Sequence, residues 1–133
     1  MSAVFLDTVG LIALWDSSDQ WHRVASTSFA KVKASNASLV TSTFVLLECG
    51  NAAPRRPFRS AVARLREQME NAGALIVPTN ADWIGGWVEF KSGKAGDAGI
   101  VDCVSFAILR RLGITAAFTN DVHFRTAGFQ PLF

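Results

Sequence analysis

Short apolar runs alternate along this chain with longer stretches whose apolar positions recur at helical spacing. Residues 3–7 read as a buried strand that runs straight into Thr8 and an apolar helix at 9–14. After the break Asp16-Ser17-Ser18-Asp19, Asp19 is placed to N-cap a helix over 20–33, in which Trp21, Val24, Ala25, Ser28 and Val32 follow helical spacing. A second strand is expected at 38–41, and then a helix at 44–53 with Thr43 as its N-cap. Pro54-Arg55-Arg56-Pro57 breaks the chain. Phe58, Val62, Leu65 and Met69 then form a one-sided apolar stripe on the next helix, which Asn71-Ala72-Gly73 ends. A third strand is expected at 74–77, and a helix capped by Thr79 or Asn80 runs to Phe90. Residues 91–96 form a loop with two glycines, and the helix at 99–112 is apolar on two faces, as a central helix must be. Gly113 suits the position just past its end. A fourth strand at 115–119, a helical turn at 122–125 and a short last strand at 129–133 complete the pattern.

Strands that alternate with helices imply a three-layer α/β/α fold around a central, mostly parallel sheet. The 133 residues fit a single domain over 1–133, and half of them are hydrophobic, enough to bury a core. In open α/β sheets the site lies beyond the carboxyl ends of the strands. Asp7 and Asp121 sit just there. Asp102 falls in the first turn of its helix, where the dipole favours negative charge. Glu48 lies about one turn inside its helix, among apolar neighbours.

These four acids carry the chemistry. Each stands at the edge of an apolar element, and an unpaired buried charge costs several kcal/mol. Taken singly, each is a cap, a surface charge or a salt-bridge partner; all four together point to a site. Converging carboxylates are what hard divalent cations require, and Mg²⁺ held in this way activates water and neutralises phosphate charge. The expectation is a divalent-metal hydrolase acting on phosphate.

Charge and cysteine usage change this picture little. The net charge of +2 neither requires nor excludes a nucleic-acid partner. Cys49 and Cys103 sit in expected helices without a CxxC pair and read as small buried apolar residues in a reducing cytoplasm. The apolar N-terminus lacks a basic leader and is interrupted by Asp7, and no stretch is long enough to span a bilayer, so a soluble protein is expected. His22 and His123 lack the spacing of a zinc site.

The ordered segments Val4-Phe5-Leu6-Asp7-Thr8, Leu46-Leu47-Glu48-Cys49-Gly50-Asn51, Ile100-Val101-Asp102-Cys103-Val104-Ser105-Phe106 and Thr119-Asn120-Asp121-Val122-His123-Phe124 resemble those of PIN-domain ribonucleases, and within them the VapC toxins of toxin–antitoxin modules. The segment 16–25, with Asp19 and His22, resembles the family's second helix start. The resemblance implies that Asp7, Glu48, Asp102 and Asp121 bind the metal, with Thr8 and Thr119 orienting them or a bound water. It also implies Mg²⁺- or Mn²⁺-dependent endonucleolytic cleavage of RNA, a homodimer, and a small antitoxin partner. Gly99 stands where the family often has a serine or threonine, so a side-chain cap is missing. The segment 52–59 is rich in proline and arginine where a longer helix is common.

Other residues keep two readings each. Asp97 is a supporting or extra ligand, or a loop charge. Arg55, Arg56 and Arg59, with Arg64 and Arg66, contact RNA phosphate or form a solvated face. Trp83, Trp87 and Phe90 share one helix face that reads first as core or dimer interface and second as a base-stacking platform. Two rivals to the nuclease are a catalytically silent PIN-like binding module and a phosphohydrolase with Asp7 as nucleophile. The first should have lost acids, and the second would want an Asp where Val9 stands.

Overall fold

The computed structural model describes residues 2–55 and 57–133; Arg56 and the side chain of Arg55, both candidate phosphate contacts, lie outside this description. Strand β1 (Ala3–Leu6) leads into α1 (Thr8–Trp15) and α2 (His22–Ala34), and β2 (Ser38–Ser42) into α3 (Thr43–Ala52). A 3-10 turn (Ala53–Arg55) precedes α4 (Arg59–Asn71), β3 (Leu75–Ile76) and the consecutive helices α5 (Asn80–Ser92) and α6 (Ile100–Leu112). The chain closes with β4 (Ala116–Phe118), α7 (Val122–Thr126) and β5 (Gln130–Pro131).

The strands form one sheet in the order β3-β2-β1-β4-β5, and every pairing is parallel. The three-layer α/β/α expectation is borne out. Val4, Phe5 and Leu6 of the central strand are all buried, as a parallel strand covered on both faces requires. Pro131 stands on the edge strand, where its missing N–H does no harm: its neighbours Gln130 and Leu132 donate to Thr115 and Ala117 instead. The chain leaves β1 toward β2 on one side and returns at β4 on the other. The strand order thus reverses between β1 and β4, which opens a crevice at their carboxyl ends.

Local chemistry explains how the helices begin and pack. Ser42, rather than Thr43, caps α3 by accepting the Val45 N–H at 3.2 Å. Asp19 accepts the Trp21 N–H at 2.8 Å, but α2 itself starts at His22 without a side-chain cap. Thr79 and Asp82 form a reciprocal capping box at the start of α5. Arg111 of α6 grips Asp82 with both arms (Nε to Oδ1 3.0 Å, Nη2 to Oδ2 2.8 Å), which locks α5 against α6 and holds the buried Asp82 carboxyl below its usual range. α6 is central as its pattern predicted, with Cys103, Val104, Ser105, Phe106, Ile108 and Leu109 buried.

The stripe on α4 also packs inward, with Phe58 and Met69 buried and Val62 and Leu65 against the core. The core reading of the α5 aromatics is overturned. Trp83, Trp87 and Phe90 are 44%, 42% and 46% exposed, because the helix turns Gly86 rather than its aromatics toward α6.

Candidate active site

Asp7 follows β1 directly and serves as the N-cap of α1, accepting the Val9 N–H at 3.4 Å. Thr119 follows β4 and donates its hydroxyl to Asp7 Oδ2 at 2.9 Å. The same hydroxyl accepts the Asp121 N–H at 3.1 Å, so one buried threonine links the first acid to the backbone of the last. Asp121 in turn caps α7. Thr8 donates to Glu48 Oε1 at 2.5 Å and thereby ties α1 to α3. Asp102 lies in the first turn of α6, whose N-cap, Gly99, offers no side chain.

The four acids therefore come from four elements, and their charges feel one another. Burial pushes the Asp7 carboxyl up to about 8, reinforced by repulsion from Asp102 and Glu48 and opposed by the Thr119 hydrogen bond. Burial also pushes Asp102 up to about 6, with Asp121 and Glu48 repelling its charge and His123 favouring it. Asp7 Oδ1 is buried and has no hydrogen-bond partner among the described residues. Cys49 lies beneath this cluster: burial, Asp7 and Glu48 push its thiol up to about 12, which makes it inert. Both cysteines are buried and free.

His123 joins the cluster in a way the sequence did not reveal. Its Nδ1 lies 2.7 Å from Asp121 Oδ1, and its Nε2 lies 2.6 Å from Asp97 Oδ1. Asp97 comes first among the causes that raise the imidazole, with Asp121 adding to it. Its place close after Asp121 in the sequence reads as help in structuring that loop, but nothing in the sequence pointed to Asp97. Asp102, Asp121 and His123 each present a ligand atom within 4.8 Å of the others. Among the candidate phosphate contacts, Arg59 is exposed at the start of α4.

The PIN-domain family profile matches residues 4–130. The chain belongs to the PIN-domain family. Among solved structures it is similar to VapC20 of Mycobacterium tuberculosis, a toxin that cleaves the sarcin–ricin loop. The two share 26% identity over 96% of each chain, with a TM-score of 0.77. No curated protein matches the sequence at a significant level. The reading of a VapC-type PIN ribonuclease is thus borne out.

A divalent cation fits this PIN domain's crevice on physical grounds. Its carboxylates repel one another, and one buried oxygen, Asp7 Oδ1, lacks a donor among the described residues. A hard cation ligated by oxygen relieves both penalties. No helix among the described residues is long and apolar enough to cross a membrane.

Proposed function

We propose that this PIN domain is a Mg²⁺- or Mn²⁺-dependent endoribonuclease and the toxin of a VapBC-type pair. The observation that carries the proposal is the mutual repulsion that links Asp7, Glu48, Asp102 and Asp121 near the β1–β4 crevice, together with a buried Asp7 oxygen that has no donor among the described residues. Asp7, Asp102, Asp121 and Glu48 hold the cation. Thr119 fixes the rotamer of Asp7, and Thr8 fixes that of Glu48. The cation, when bound, lowers the pKa of a water and neutralises charge on the phosphoryl oxygens. Arg55, Arg56 and Arg59 supply phosphate contacts, which add affinity without sequence preference.

The similarity to a toxin supports a small antitoxin partner, and an RNA stem-loop of the kind VapC20 cleaves is the first substrate to try. The working compartment is the cytoplasm, where such a substrate resides. The protein acts as a homodimer, a reading supported by the exposed apolar face of Leu47, Trp83, Ile84, Trp87, Val88 and Phe90.

The decisive experiment incubates purified protein with a mixed RNA pool in Mn²⁺, Mg²⁺ or EDTA, beside Asp102→Asn. Cleavage in either metal, absent in EDTA and lost in the variant, is expected. A folded, antitoxin-free protein that cuts nothing would leave a silent PIN-like binding module as the better description.

A further inference from the structure

Asp97, Asp121 and His123 form an arrangement that the carboxylate cluster alone does not explain. Asp97 sits in the loop between α5 and α6, directly after a turn bracketed by Gly93 (φ 67°) and Gly96 (φ 69°). Ala95 and Ala98 are buried on either side of it and peg this loop into the core, so the backbone, not the Asp97 side chain, sets where Asp97 stands. The side chain itself is 97% exposed. An exposed carboxylate normally remains in water, because the net gain from one surface contact is small. Here it is turned onto His123 Nε2 at 2.6 Å.

The opposite ring nitrogen meets Asp121 Oδ1 at 2.7 Å, and the His123 backbone N–H reaches the same oxygen at 2.9 Å. Both bonds thus fall on one oxygen, and Asp121 Oδ2 has no hydrogen bond among the described residues. Because both imidazole nitrogens are occupied by carboxylates, neither has a lone pair free for a cation. The ring holds a ligand rather than acting as one.

The chain of contacts has a further consequence. The loop that carries Asp97 runs directly into α6, where Asp102 lies in the first turn, whereas His123 belongs to α7. The imidazole therefore ties the element bearing one acid to the element bearing another, two acids whose charges repel. Without this tie, repulsion would favour a splayed pair.

Resting on the nuclease reading above, we propose that Asp97–His123–Asp121 is a clamp in which His123 is a positioning residue, braced by Asp97, that presents Asp121 Oδ2 to the divalent cation and holds the start of α6 against α7. Hydrogen-bonded partners behind a metal ligand commonly govern affinity by 10- to 100-fold.

The test measures Mn²⁺ binding to the full chain by calorimetry, for the native protein, Asp97→Ala, His123→Asn and the double variant. Asp97→Ala should weaken Mn²⁺ binding about 10-fold without a change in melting temperature, since the side chain touches only solvent and His123. The amide of His123→Asn can still donate to Asp121 but cannot also reach Asp97. Adding Asp97→Ala to it should therefore have no further effect, a non-additivity that a merely structural loop charge would not produce. In RNA cleavage, kcat should fall with KM unchanged. A readout that needs no metal is the pair of His123 ring N–H protons in the NMR spectrum of the metal-free protein. The Nε2 proton should vanish into exchange with water in Asp97→Ala. Equal Mn²⁺ affinity in native and Asp97→Ala proteins overturns the clamp. A native protein that binds no Mn²⁺ overturns the metal reading instead; unchanged ring N–H signals in Asp97→Ala would then overturn the clamp independently.

Discussion

Asp7 shows how burying a single carboxyl ties stability to pH. Its carboxyl is raised to about 8 in the fold, against an ordinary value of 3.8. The fold therefore favours the protonated form, and the stability this represents is fully present below about pH 4 and lost as pH rises through about 8. Asp102, raised to about 6, adds a smaller loss over the lower part of the same window. Metal-free protein in EDTA should accordingly lose on the order of a few kcal/mol between pH 4 and 8, read as a falling melting temperature. Asp7→Asn, which keeps an acceptor for Thr119 and loses the charge, should be more stable than the native chain at pH 8 in EDTA. Added Mn²⁺ should reverse that order, because only the native carboxylate gains from the cation. A native melting curve indifferent to pH across this window would show that Asp7 is not held uncharged. Which acids to inspect was legible in the sequence, because charges flanking apolar runs are costly wherever the run is buried. That His123 links two of them was not, because Asp97 lies 26 residues away from it and is brought there by tertiary structure.

At the scale of elements, the contact between α5 and α6 is set by two adjacent glycines with opposite surroundings. A Cβ on Gly86 would come within 2.5 Å of Val104 Cγ2 and 3.0 Å of its backbone, whereas one on Gly85 meets only ordinary contact, 3.8 Å from Ala107. Gly86→Ala should therefore cost about 1–3 kcal/mol through overpacking. Gly85→Ala should be neutral or stabilise by up to about 1 kcal/mol through helix propensity. Urea unfolding of the two variants decides it; equal effects would mean that Gly86 does not set the helix spacing. Gly10 is more constrained still, since a Cβ there would lie 2.0 Å from the Phe118 carbonyl oxygen, a backbone atom at the end of β4. Gly10→Ala should fail to yield folded protein, as judged by circular dichroism of the purified chain. The sequence showed Gly85-Gly86 inside a helical pattern but could not say which of the two faced a neighbour.

For the whole molecule, the exposed apolar face of α3 and α5 is the surface on which the proposed homodimer is tested. Val88 is 64% exposed on α5 and is not among the residues packed against the core. Sedimentation at micromolar concentration should show a dimer for the native protein and a monomer for Val88→Glu, with the fold retained in both. A native protein that sediments as a monomer would return the Trp83, Trp87 and Phe90 face to the alternative of a surface for stacking bases. Of the two readings of those rings, core or dimer interface, the core one failed because helical spacing reports that residues share a face, not what the face meets.

The chain's own pattern was enough to determine the alternation of strands and helices, the central position of α6, the left-handed Gly113 past its end and the four acids worth attention. All of these follow from local periodicity, from conformational limits or from the cost of a charge beside apolar residues. Only the tertiary structure decided the strand order β3-β2-β1-β4-β5, and with it the crevice between β1 and β4. It also decided the shared Thr119 hydroxyl, the Asp7 oxygen left without a donor among the described residues and the bridge from Asp97 through His123 to Asp121. Each of these joins residues far apart along the chain, and the physical reason is common to them: what a buried polar atom meets depends on how elements pack, which no local pattern encodes.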